Sequence, residues 1–229
     1  LFISLKYIKQ IKFMITEILN SWRSYFSVKS NFYQFIITFF LFFICTFFFK
    51  QYLILVESWD HNLGVFDDPF FLKEPIDLST PIFVLTYGSI LFFIIYHLNT
   101  LSKLVKLTQL AILVNLFRVI SLFFVRFDAP DMIPLNDPIL NFLIYESTLD
   151  SPLYNQHDLF FSGHTTNLFI ISILYKKSIF RYFFLFITFL TGLFLVLQQV
   201  HYSIDVIFAP FVGLIIIYIH NYFQYNYIK

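Results

Sequence analysis

The sequence predicts an all-α, polytopic integral membrane protein with six transmembrane helices in one bundle. Three observations predict it. Apolar residues make up 59% of the chain and charged residues 13%, more apolar surface than a soluble 229-residue domain could hide from water. Six apolar runs, roughly 31–55, 81–99, 104–125, 160–176, 180–199 and 203–221, are each near the length that crosses a bilayer. The charges segregate between alternate connections.

The elements follow in order. Residues 1–30 interleave Lys6, Lys9, Lys12, Arg23 and Lys29 with Leu5, Ile8, Ile11, Ile15, Leu19 and Trp22. That is helical spacing with a basic face, read as a helix lying on an anionic membrane surface. It has neither the compact apolar centre nor the small-residue cleavage site of a signal peptide. The domain proper is read as residues 31–221, with 222–229 a cytosolic tail. Its first span carries the lone cysteine, Cys45, so there is no disulfide framework. Pro69, Pro75 and Pro81 punctuate the first long connection, and Pro130, Pro134, Pro138 and Pro152 the second. The fourth run is the shortest. Net charge is near zero, which excludes a nucleic-acid partner.

Charge sets the expected orientation. With the N-terminus inside, Lys103, Lys106, Lys176, Lys177, Arg181 and Lys229 all fall on the inner side. Among the 14 carboxylates only Glu17 is inside. This positive-inside pattern puts both termini in the cytoplasm and both long loops on the exoplasmic face, whether periplasmic, extracellular or lumenal.

Two short motifs fall at that outer face. The first is Ser162-Gly163-His164. Ser162 is a candidate helix N-cap, and helix N-terminal amides favour phosphate. An ordinary capped helix with an interfacial histidine has the same local sequence. The second is His201-Tyr202-Ser203-Ile204-Asp205. Residues four apart share a helix face, so the Asp205 carboxylate can orient the His201 imidazole and stabilise its charged form. An interfacial ion pair anchoring the sixth span has the same spacing. Arg118 lies about two turns below the outer end of the third span. A guanidinium there is costly and faces a bundle interior or polar cavity, where it binds phosphate or pairs with a carboxylate such as Asp128 or Glu146. Arg126, at the membrane edge, reads as snorkelling into headgroups. Glu146, His157 and Asp158 are candidates for tuning the site or binding a headgroup amine; a solvated acidic loop is the plainer reading. The histidine spacing fits no usual zinc set, and no cofactor is expected.

Phe160-Phe161-Ser162-Gly163-His164-Thr165 and His201-Tyr202-Ser203-Ile204-Asp205-Val206 resemble the two catalytic motifs of the type 2 phosphatidic acid phosphatase (PAP2) superfamily. They are most similar to its sphingomyelin synthase branch, over about residues 100–215. The hydrolytic branch usually carries a further Arg six residues before its second His, where this chain has Leu195. It also follows its first Arg with Pro, and Arg118 is followed by Val119. The resemblance implies a lipid phosphotransferase with a PAP2-like core. It makes His201 the nucleophile, Asp205 its orienting carboxylate and His164 the acid and base. Arg118, Ser162 and Gly163 would hold phosphate. The implied substrates are membrane lipids, with a phospholipid donor and diacylglycerol, ceramide or water as acceptor. A PAP2-type lipid phosphatase and a non-catalytic lipid-binding or transport protein are the competing readings. A transporter would gather polar groups at the midplane, and this chain gathers them at one face.

Overall fold

A computed structural model describes residues 5–60, 64–135, 156–176 and 178–227. Among these there are seven helices and no strand: α1 Leu5–Ser27, α2 Lys29–Glu57, α3 Ser79–Tyr96, α4 Leu101–Phe124, α5 Gly163–Leu174, α6 Ile179–Leu197 and α7 Ser203–Tyr227. Five of them, α2, α3, α4, α6 and α7, are long and apolar enough to cross a membrane. The described residues therefore form an all-helical bundle, consistent with an integral membrane protein.

The fourth predicted span departs from expectation. The apolar run 160–176 folds as a helix of only 12 residues, about 18 Å long against a hydrocarbon core of about 30 Å. The physical reason is local. Phe160 takes a left-handed φ of 63°, and Ser162 caps the helix by accepting from the Thr165 amide at 3.3 Å. The apolar residues before Gly163 are thus not helical. Lys176, at φ 52°, closes the other end. At the C-terminal end α7 runs on to Tyr227, so described residues of the expected tail are helix.

This short helix is the central strut. It packs against α3, α4, α6 and α7, and Leu168, Ile170 and Ile171 are fully buried. Small residues let the backbones close up, as membrane helix pairs require. Thr166 Oγ1 donates to the Ser162 carbonyl at 2.8 Å and lies 3.4 Å from the Ala209 carbonyl of α7. One turn along α7, Gly213 faces the Phe169 ring, and a Cβ there would come 2.9 Å from it. Gly192 on α6 abuts Val206 on α7 in the same way. α2 sits outside, packed on α1 and α4.

The two ends of the bundle differ. At the end bearing the basic connections, Ser21 and Trp22 of α1 donate to the carbonyls of Asn99 and Leu98, pinning α1 to the α3–α4 turn. Gln109 of α4 bonds Thr38 of α2 at 3.0 Å and His220 of α7 at 2.8 Å, which clamps three helices together. The other end carries both motifs.

Candidate active site

The α6–α7 turn and the start of α5 meet at one point. The Ser162 amide donates to the Asp205 carbonyl at 3.2 Å, so the two motifs form one backbone unit. Ser162 Oγ is occupied as well, accepting from the Thr165 amide and 3.1 Å from Thr165 Oγ1. Ser162 is therefore a clamp and cap in this structure, with its amide spent on Asp205.

His201 and Asp205 come together by a route the sequence did not predict. They do not share a helix face, because α7 begins only at Ser203. His201 belongs to the preceding turn, which folds back over the first turn of α7. His201 Nδ1 lies 3.4 Å from Asp205 Oδ2, an ion-pair distance outside hydrogen-bond geometry. The same Oδ2 accepts from the Tyr202 amide at 3.1 Å. Both side chains are buried, His201 at 3% exposed and Asp205 at 0%. Asp205 also sits in the first turn of α7, where the helix dipole favours a carboxylate.

Arg118 reaches the same place from α4. Its guanidinium packs so closely on Gly163 that a Cβ there would lie 2.6 Å from Nη1. Gly163 is required for that close approach. The guanidinium stacks 4.7 Å from the Phe49 ring centre and pairs with Asp158. Of the two expected partners, Asp128 is not the one that holds it. Asp158 does so because the segment before α5 descends beside α4, as the Ser121 hydroxyl on the Phe160 carbonyl shows (3.2 Å). Glu146 lies outside the described residues. His157 is held by Glu57, which accepts from its amide at 2.9 Å and lies 2.7 Å from Nδ1. Arg126 stacks 4.6 Å over the Trp59 ring, so its membrane-edge position is taken up by an aromatic partner. His164 is in the first turn of α5, half-buried, edge-on to Phe83 of α3 at 6.0 Å.

Three buried polar atoms here have no hydrogen-bond partner among the described residues: Arg118 Nε, His201 Nδ1 and Asp205 Oδ1. Buried polar atoms are almost always satisfied. The three orphans sit on ionisable side chains from α4, the α6–α7 turn and the first turn of α7, and leave hydrogen-bonding capacity there unused.

The support around it escaped the sequence reading. Buried Gln198 accepts from the Leu78 amide and donates to Ser79 Oγ and the Ile133 carbonyl. Gln199, at a left-handed φ of 59°, donates to the Leu72 carbonyl at 2.7 Å. Tyr202 Oη donates to the Asp128 carbonyl at 2.9 Å and accepts from the Phe66 amide at 3.3 Å. Burial, and then the nearby carboxylates, push its phenol pKa up. Asp68 caps α7 by accepting from the Ser203 amide at 2.6 Å. Both long connections are thus laced to the turn that carries His201. Phe160 and Gln199, the two left-handed residues beside the motifs, each precede a motif residue by two positions. Strain of that kind, about 1–3 kcal/mol each, clusters at functional sites. A Gln-Gln pair closing an apolar run was a visible signal; Asp68 gave none.

No curated protein matches the chain. Residues 157–222, which contain both motif turns, match the family model for the PAP2 superfamily C-terminal region. Over those residues the chain is similar to the PAP2 superfamily, whose members are lipid phosphatases and phosphotransferases.

Proposed function

We propose that the protein is a lipid phosphotransferase of the sphingomyelin synthase-like type, moving a phospho-headgroup between lipids through a phosphohistidine. The observation that carries this reading is the buried His201–Asp205 pair locked by the Ser162–Asp205 hydrogen bond against the helix bearing His164. Asp205 faces Nδ1 of His201, which leaves Nε2 as the nucleophile. Nε2 attacks the donor phosphorus; the P–O bond to the departing lipid alcohol breaks, and His164 delivers a proton to that oxygen. The acceptor hydroxyl then loses its proton to His164 and attacks the phosphohistidine, and His201 is restored. Arg118 and the first-turn amides of α5 offset the charge spread over the phosphoryl oxygens.

Burial of His201 and Asp205 supports a lipid alcohol over water as acceptor, since a dry site withholds the competing nucleophile. The motif end faces the exoplasmic side, as the distribution of basic residues directs. The short α5 completes the bundle because its N-terminus meets Arg118, about 9 Å below the end of α4 at 1.5 Å per residue. From that recessed level, 12 residues go most of the way to the opposite end.

The test supplies purified protein in liposomes with a fluorescent ceramide or diacylglycerol and a phospholipid donor, beside His201→Ala. New phospholipid, absent in the variant, is the expected result. Released phosphate or phosphoalcohol without transfer replaces this reading with a lipid hydrolase. Neither product across several donors removes the catalytic reading.

A further inference from the structure

Between α2 and α4 runs an apolar groove of about 670 Å³. Leu41, Cys45 and Phe49 line it at four-residue steps along α2, and Leu116 and Val119 from α4. Tyr52 closes one end by donating to the Val119 carbonyl at 2.9 Å. Both walls are helices able to cross a membrane, and α2 buries little of its apolar surface inside the protein. The groove is therefore open to hydrocarbon along its side. Phe49 belongs both to the groove and to the site, since its ring lies under the Arg118 guanidinium.

We infer that this groove seats an acyl chain of a phosphorylated lipid whose phosphate is held at Arg118. The chemistry of the two ends selects that occupant. A lined apolar channel takes a hydrocarbon chain, and a guanidinium with an unpartnered buried Nε at its head takes a phosphate. A lipid without phosphate gains only the first contact. A free phosphate gains only the second. The inference rests on the phosphotransferase reading and assigns α2, which carries neither motif, a part in holding the substrate.

The test uses the full chain in alkyl maltoside micelles and a phosphatidic acid carrying a diazirine in its acyl chain. After photolysis, the label is expected within 41–55 and 112–119. Unlabelled phosphatidic acid should compete it away, and diacylglycerol should not. Leu116→Trp fills the groove and should lower this phosphate-dependent labelling about tenfold, the cost of uncovering roughly two methylenes. Leu193→Trp, on the exposed side of α6, should keep it. Label elsewhere, or competition by both lipids alike, overturns the inference on the wild-type protein alone, whatever the variants do. The same sample assayed for turnover separates the two claims. Labelling without turnover leaves the groove and removes the enzyme, and turnover without groove labelling does the reverse.

Discussion

The Ser162 amide and the Asp205 carbonyl are joined by a 3.2 Å hydrogen bond, although 43 positions separate them in the chain. That bond places His164, two residues after Ser162, and His201, four before Asp205, on one rigid unit. The site therefore depends on close backbone packing of α5, α6 and α7, and several substitutions expose that dependence.

Gly163→Ala tests the approach of Arg118. A Cβ would stand 2.6 Å from Nη1 and 2.9 Å from Cζ, and Phe49 and Asp158 hold the guanidinium in place. The arginine must shift. Activity should fall at least about tenfold, ~1.4 kcal/mol of transition-state stabilisation, with little change in unfolding temperature. Unchanged turnover would show that Arg118 need not sit against the helix start.

Gly192→Ala should separate α6 from α7, because the added methyl meets Val206 Cγ1. Overpacking of this kind costs about 1–3 kcal/mol. Val206→Ala in the same chain should restore much of the lost unfolding temperature. If the double variant is no better than the single one, the clash is not the cause.

Asp158→Asn removes the carboxylate paired with Arg118, which a phosphate bound there under the proposed function would displace. Vanadate, a mimic of the phosphoryl transition state, should inhibit this variant roughly tenfold more tightly, about 1.4 kcal/mol. Weaker inhibition would make Asp158 a residue that positions Arg118, with no competition for it.

Tyr202→Phe deletes a hydroxyl that bonds the Asp128 carbonyl and the Phe66 amide. Losing a bond to each of these partly exposed groups costs about 0.5–1.5 kcal/mol. A lower melting temperature in detergent and faster proteolysis of the 64–78 and 126–135 connections should follow. Equal resistance would mean that Gln198 and Gln199 suffice to hold them.

The spans and the two motifs were legible in the sequence because each is written in contiguous residues. Apolar runs report α2, α3, α4, α6 and α7 directly. The Ser-Gly-His turn carries its own cap. The rest is held by pairings across long stretches of chain, which leave no period and no motif. Arg118 with Asp158, His157 with Glu57, and Ser203 with Asp68 are set by how connections fold over the bundle end. The short α5 was hidden for another reason. Hydropathy does not distinguish a helical apolar residue from Phe160 held in a left-handed turn. The His201–Asp205 pairing was predicted for a helical spacing, and a turn in front of the helix brings them together.

In the proposed mechanism the phosphoryl group is carried on His201. Wild-type protein mixed with a radiophosphorus-labelled phospholipid donor, quenched in alkali within one turnover and digested for mass spectrometry, tests it directly. Acid-labile label is expected on the peptide containing His201, absent in His201→Ala and accumulating when the acceptor lipid is withheld. Product formation with no labelled peptide, or label on any other residue, would contradict it.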